Sequence, residues 1–600
     1  MIKGKNRVIF TIRASYENLM EVIFLCFFQL ILKTALIQEK IEIRRLYHLP
    51  YITVFFVFLG SGSVFSQKVL YVSSSGLSTN SGKSIDRPLD LLSAIKLTKP
   101  GVRILIKNDG IYDLEWANLK ISRSGTKSNP IILEGYLDTP GDLNRDQNDE
   151  EALMEACQDK SKNPLLHGSL TSKGSVGFEV FGGYVQIKNL NFSSFCYNII
   201  LRGNNNEVSN CSFVKTPESC GAYQSHGVLI HEGAVENEVG YNCFAGIEFA
   251  AISLWKGSQN NWIHHNYIRT IGNHLPRSSA TSVSYNTAGT DYPIIISDNS
   301  TEEVSYTTDN LVEYNHIQWV GIKGRKLHPS HGIDIKGAAK NTVRRNILEN
   351  CGIEVDFSTA KANEIYENAM VSTEFNPGRN VSIEFQSGPS DNLIYSNFID
   401  GQGYSPAIRM KHSDDGAAEY PKEVGIFKDN YIFGNTFKDC SHIFLFDNAQ
   451  ENEMSVENLT VYRNTFLRPG IPVYARKVKR VNINLSNNII LDPRKVNIND
   501  KVTILGEGNL VFPKGNFYLF SRLENTMIES IEFINKNEEW IYRPDIPLSV
   551  GKSELTLPKL HQVLLDKIPQ LDRYWVGSSG FYLGEIKNVI SSSTFSRLFD

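Results

Sequence analysis

Six short segments of this chain carry charged or aromatic residues at corresponding places: GVLIHEG (227–233), AISLWKG (251–257), HGIDIKG (331–337), GIEVDFS (352–358), VSIEFQS (381–387) and PAIRMKH (406–412). With Ile230, Leu254, Ile335, Phe357, Phe385 and Met410 aligned as residues facing a core, strand alternation turns their neighbours outward. The outward residue before each reads Leu229, Ser253, Asp334, Asp356, Glu384 and Arg409. The one after reads His231, Trp255, Lys336, Ser358, Gln386 and Lys411. Three carboxylates on successive strands, about 4.8 Å apart, repel one another. A bound cation, a shared proton or a neighbouring base must offset that repulsion. Asp334, Asp356 and Glu384 are therefore candidate ligands for Ca²⁺, a hard cation suited to carboxylate oxygens. Lys336, Arg409 and Lys411 are the candidate catalytic groups, because a lysine whose charge is disfavoured by its surroundings abstracts protons. His231, Trp255 and Gln386 complete the face as candidate substrate contacts. The rival reading is a solvated charged face with ion pairs of little energetic weight. His264 and His265 fall inside a repeat motif and read as bend or surface residues.

A repeat must position these segments. The pattern Asn-x-(Val/Ile)-x-x-Asn-x-apolar appears as NEVGYNCF at Asn237, NWIHHNYI at Asn261, NLVEYNHI at Asn310 and NTVRRNIL at Asn341. It continues as NEIYENAM at Asn363, NLIYSNFI at Asn392 and NYIFGNTF at Asn430. Its alternating apolar residues give short strands with one face in a narrow core. The second Asn of each motif (Asn242, Asn266, Asn315, Asn346, Asn368, Asn397 and Asn435) falls where the chain bends, and its amide can bond to its counterpart in the next coil. The spacing suits one turn of a solenoid per motif, with the long interval between Asn261 and Asn310 absorbing an insertion over about 273–309. Helical periodicity between the strands is lacking. The expected fold is all-β: a right-handed parallel β-helix over residues 67–510 with an N-terminal cap, and a C-terminal cap or small domain over 511–600.

The chain resembles the pectate-lyase-like superfamily of right-handed parallel β-helices. The segment LYVSSSGLSTNSGKSIDRPLDLLSAIKLTKPGVRILIKNDGIY (Leu70–Tyr112) looks like the first strand, capping helix and early coils of such secreted proteins, and ISRSGTKSNPIILEG (Ile121–Gly135) follows suit. Lyases, hydrolases and phage tailspikes share this scaffold, so the fold alone does not select a reaction. The resemblance implies three readings. In a lyase, the cation neutralises a substrate uronate and a Lys removes the proton at C5. Alginate- and chondroitin-type lyases pair a Lys base with an Arg one coil on; Lys361 stands at a similar place after Asp356, and the next coil carries Gln386. In a hydrolase, two acids act on the glycosidic bond, adjacent coils matching the roughly 5–5.5 Å separation of retaining enzymes and alternate coils approaching the roughly 6.5–9.5 Å of inverting ones. SHGIDI (Ser330–Ile335) and IRMK (Ile408–Lys411) resemble segments of polygalacturonases. The third reading is a non-catalytic glycan-binding β-helix. The lyase acting on an acidic polysaccharide is the favoured expectation.

Composition agrees with an exported globular chain. Lys and Arg total 61 against 65 Asp and Glu among 600 residues, a balance that argues against a nucleic-acid-binding protein, which needs a basic stripe, and leaves room for a local basic cleft for an acidic substrate. Residues 48–65 follow Arg44-Arg45 and have the order of a signal peptide, with Val64 and Ser66 as small residues before Gln67. Residues 1–66 thus read as an N-terminal extension and signal, leaving no stable membrane span after its removal and a secreted or periplasmic protein. Of eight cysteines, Cys26 lies in this leader and the other seven show no C-x-x-C metal spacing. They suit buried thiols with one or two bridges.

Overall fold

The computed structural model describes residues 67–512, with breaks of which the longest are 137–156, 272–291, 321–330, 373–380 and 413–424, and the strands Ile534–Lys536 and Glu539–Ile541. The chain divides into two units, Met1–Ser66 and Gln67–Asp600. The leader and signal assignments lie outside the described residues, as does most of 513–600.

Three parallel sheets carry nearly all the described structure. Sheet 1 has 16 strands, running from Lys68–Val72 to Val502–Leu505; sheet 2 has 14, from Ile111–Asp113 to Leu510–Phe512; sheet 3 has 12, from Leu119–Ile121 to Ile471–Arg476. Each coil visits the sheets in that order, so every strand pairs with its counterpart one coil away. The result is a right-handed parallel β-helix, the hand favoured by the twist of parallel strands. The one helix among the described residues, Leu91–Lys96, contacts the terminal strands Lys68–Val72 and Leu119–Ile121. Asp90 caps it by accepting from the Ser93 amide at 2.8 Å.

The Asn motif builds two of the three bends. Val239, Ile263, Val312, Val343, Ile365, Ile394 and Ile432 are register partners in sheet 1, all fully buried. The residue before each second Asn takes a left-handed conformation, from Tyr241 (φ 59°) and His265 (51°) to Ser396 (53°). Behind it the Asn amides form a ladder: Asn266 Nδ2 donates to Asn315 Oδ1 at 2.9 Å, Asn315 to Asn346 at 3.0 Å and Asn346 to Asn368 at 3.0 Å. The ladder runs on through Asn435, Asn464 and Asn488 to Asn509. Each Asn also donates to a carbonyl of the preceding coil, as Asn346 does to Val312 O at 3.0 Å. The first Asn of each motif forms a second ladder that the sequence reading passed over, Asn261 to Asn310 at 2.9 Å and Asn310 to Asn341 at 2.9 Å. Both ladders satisfy buried amides that a tight bend would leave without partners.

The stretch 273–309 is corrected in part. Tyr292–Ser297 is a strand of sheet 3, lodged between Ala250–Trp255 and Ile333–Lys336. PIIIS has the same apolar run as its neighbours, so it belongs to the wall rather than to a projecting loop. Two disulfides, Cys157–Cys243 and Cys196–Cys220, are present, and Cys211, Cys351 and Cys440 are buried thiols.

Candidate active site

The charged residues gather on the outer face of sheet 3, in a register that differs from the sequence alignment at one strand. Ile335 pairs with Val355 and Val355 with Phe385, so Val355, not Phe357, is the inward residue of its coil. One outward column therefore reads Asp334, Glu354, Glu384 and Arg409, and the next reads Lys336, Asp356, Gln386 and Lys411. Asp356 leaves the column of Asp334 and Glu384 and stands beside Lys336. Glu354, absent from the expected set, takes its place. The signal was available: Gly332-Ile333-Asp334-Ile335-Lys336 and Gly352-Ile353-Glu354-Val355-Asp356 match position for position.

These side chains are not a solvated face. Asp334, Glu354, Asp356 and Glu384 are all at most 5 % exposed. Lys411 Nζ contacts Glu384 Oε1 and lies 3.8 Å from Glu354 Oε1, while Arg409 Nη1 donates to Glu384 Oε2 at 3.1 Å. His331, another residue the sequence reading missed, sits 3.1 Å from Glu354 Oε2. Gln386 Nε2 donates to Asp356 Oδ2 at 3.4 Å, and the Phe357 amide donates to Asp356 Oδ1 at 2.8 Å. Lys336 Nζ lies 5.3 Å from the centre of the Phe357 ring, which turns outward through a left-handed backbone (φ 71°).

The cluster splits its acids into two kinds. Burial works against the Glu384 charge, yet Lys411, His331 and Arg409 override it and hold the carboxyl at about 2. Burial, reinforced by the Glu354 charge, pushes Asp356 up to about 8 and Asp334 well above the usual carboxylate range. Asp334 Oδ1 is buried with no hydrogen-bond partner among the described residues, a position that disfavours an ionised carboxylate. Lys411 is held protonated above its usual range: burial opposes its charge, but Glu384 and Glu354 outweigh it.

The proposed calcium ligands can be tested against this arrangement. His331, Glu354 and Glu384 offer ligand atoms within 4.8 Å of one another. The Lys411 ammonium and the Arg409 guanidinium already engage both Glu384 oxygens, and His331 and Lys411 engage Glu354. An internal cation thus fills the role that Ca²⁺ would play, and the donor set does not fit a calcium cage built on Glu384.

The other expected contacts spread along the same wall. Trp255 pairs with Ser297, which puts the Tyr292–Ser297 strand between it and Lys336, roughly 10 Å away at two coil spacings. Its ring meets His226 edge-on at 5.9 Å. His231 follows the end of a strand one coil further, its imidazole shifted down first by burial and then by Arg202. Neither joins the charged cluster, whereas Gln386 does. Lys361 is exposed at a bend, where it bridges to Ser390 beside sheet 1.

No protein-family model matches the chain, and no curated protein matches it in sequence. The fold is a right-handed parallel β-helix. Among solved structures, a mannuronic acid specific polysaccharide family 6 lyase from human gut microbiota is similar at 14% identity and a TM-score of 0.44, over 77% of this chain and 92% of that one. A GH136 lacto-N-biosidase from Eubacterium ramulus is similar at 14% identity and a TM-score of 0.38, over 62% and 64%. The pectate lyase Pel9A is similar at 16% identity and a TM-score of 0.31, over 56% and 78%. The β-helix assignment itself rests on the three sheets.

Proposed function

We propose that this chain is an exported enzyme that cleaves a uronate-containing polysaccharide by β-elimination. The observation that carries the reading is the sorting of charge around Lys336: its neighbours Asp334 and Asp356 are pushed toward their protonated forms, while Glu384 stays ionised against Lys411 and Arg409. With Asp334 and Asp356 held neutral, the repulsion among carboxylates that called for a cation is removed. In this reading Arg409 and Lys411, each about a quarter exposed, face the substrate carboxylate and acidify the proton at C5. Lys336 takes that proton, the electron pair forms the C4–C5 double bond, and the C4–O bond breaks. Asp356, one strand over from Lys336, gives its proton to the leaving oxygen, and Gln386 holds the Asp356 carboxyl in place. A carboxylic acid ionising at about 8 has the strength a general acid needs near neutral pH. Trp255 and His231 would extend the contact surface toward the N-terminal coils. Calcium enters no step.

The hydrolase alternative draws on the same contrast between a protonated Asp356 and an ionised Glu384. Glu384 is fully buried with both oxygens on cations, which leaves it a poor base for water. Two disulfides support an oxidising compartment, consistent with export by the leader. The test is incubation with acidic polysaccharides. Elimination gives products that absorb in the ultraviolet through the new double bond, hydrolysis gives reducing ends alone, and a binding protein gives neither. Reducing ends without ultraviolet absorbance would overturn the proposal.

A further inference from the structure

The outer face of sheet 3 is covered on one side of the charged cluster and open on the other. Register carries one outward column from Leu229 through Ser253 and Ile295 to Asp334. The first three point away from the core, yet none is more than 3 % exposed. Beyond Arg409 the same column passes Leu445 and ends on Tyr474, which is 37 % exposed. The parallel column runs from Lys411 through Asp447 to Arg476, whose side chain is 57 % exposed. A long substrate held at the cluster therefore finds open surface over the C-terminal coils.

Tyr474 and Arg476 stand on the last strand of sheet 3, Ile471–Arg476. They lie two residues apart on one face, about 6.6 Å along an extended strand, so a single sugar ring covers both. Arg476 donates from Nε to Asp447 Oδ1 at 2.8 Å and from Nη2 to Asp447 Oδ2 at 3.1 Å. This two-pronged grip fixes the plane of the guanidinium and leaves its Nη1 donors without a partner among the described residues. The Tyr474 ring leans on the His442 imidazole, 5.6 Å between centres and tilted by 55°. An aromatic face with a polar tip complements the C–H face of a pyranose. The Nη1 donors and the remaining lone pairs of Asp447 complement adjacent ring hydroxyls. Because Asp447 already offsets the Arg476 charge, the pair suits hydroxyls better than a carboxylate.

We infer that Tyr474, Arg476 and Asp447 form a subsite for a sugar residue of the bound polysaccharide, two coils beyond the charged cluster. The inference rests on the proposed function for the identity of that polysaccharide, a uronate chain. Arg476 stands two coil spacings from Lys411, roughly 10 Å, a gap that a glycan extended along the solenoid axis bridges in a few residues. The subsite makes binding depend on length: oligomers that end over Arg409 and Lys411 miss it, and longer ones gain its contacts.

Titration calorimetry with mannuronate and galacturonate oligomers, from dimer to hexamer, tests the assignment in the Lys336→Ala protein, where none should be cleaved. The hexamer of the recognised series should bind at least about tenfold more tightly than the dimer. Adding Tyr474→Ala or Arg476→Ala should each weaken hexamer binding by about tenfold, the loss expected for one good contact, and bring hexamer and dimer together. Tyr474→Phe should keep the hexamer affinity, since the ring face remains. Hexamer affinity unaltered by both alanine substitutions would overturn the subsite and leave the elimination reading standing wherever the parent forms unsaturated product. Length-dependent binding lost in both variants, in a parent that forms no unsaturated product from any polymer, would uphold the subsite and defeat the elimination reading alone. Failure of every oligomer to bind would overturn the subsite together with the uronate reading.

Discussion

Asp356→Asn should change how stability depends on pH. In the folded chain Asp356 ionises at about 8 because it is buried beside Glu354, and in an unfolded chain an aspartate ionises near 4. Between those values the native state keeps a proton that the unfolded state has released. Stability therefore falls as pH rises through that window and levels off above it. At about 1.36 kcal/mol per pH unit, the accumulated cost is on the order of 5 kcal/mol by pH 8 for this one residue. Asparagine matches the neutral acid in shape and keeps an oxygen for the Phe357 amide, and Gln386 can turn its own oxygen toward the new amide. Urea unfolding of parent and variant from about pH 4 to pH 9 is the assay. The two should coincide near pH 4 and diverge as pH rises, the variant becoming the more stable by several kcal/mol. A residual slope in the variant belongs to Asp334, which is shifted in the same direction. Calcium or a chelator should move neither curve. Equal slopes in both proteins would refute the buried-acid reasoning, and a calcium-dependent rise confined to the parent would return Asp356 to the role of metal ligand.

Lys336→Ala should abolish formation of unsaturated product while retaining polysaccharide binding, and Lys336→Arg should recover little, because a guanidinium resists deprotonation; product absorbance with a parallel binding titration checks both. The elimination rate should decline as pH rises past about 8, where Asp356 loses the proton it donates, and a rate still climbing above that value would remove Asp356 as the acid. Glu384→Ala strands Lys411 and Arg409 against each other and should cost about 3–5 kcal/mol in urea unfolding, the range for breaking a buried pair from one side. Asn346→Ala deletes the acceptor of the Asn315 amide and side chain and the donor to Asn368 and Val312, and should cost at least about 3 kcal/mol from the buried groups left unpaired; a loss under 1 kcal/mol would mean the ladder is not what holds the bends.

The solenoid was legible because it is written locally and repeatedly. Seven copies of one motif place an apolar residue and an asparagine at fixed offsets, and all seven central apolar residues pair in the register their alignment requires. Sheet 3 carries no such marker. Its strands are separated by connections of unequal length, so spacing alone does not mark Tyr292–Ser297 as a strand. His331 and Glu354 were missed for a related cause. They act through contacts between coils, which depend on a pairing that the spacing within one segment does not reveal.

The placement of Asp356 shows what such an error changes. Side chains alternate with a period of two, so sliding a strand by two residues keeps every inward residue inward and every outward residue outward. Val355 and Phe357 are therefore equally acceptable core residues by alternation alone. Pairing across coils decides for Val355, and Phe357 instead takes a left-handed backbone and leaves the wall under Lys336. The chemistry turns on that slide. In the alignment Asp356 stands between Asp334 and Glu384, and three carboxylates in one column call for a cation. In the structure it stands beside Lys336, while Glu354 occupies the column with Lys411 as its counter-charge. In the proposed reading the same residues serve as a proton-transfer pair over a floor of paired charges, and the column of Asp334, Asp356 and Glu384 that suggested calcium is not formed.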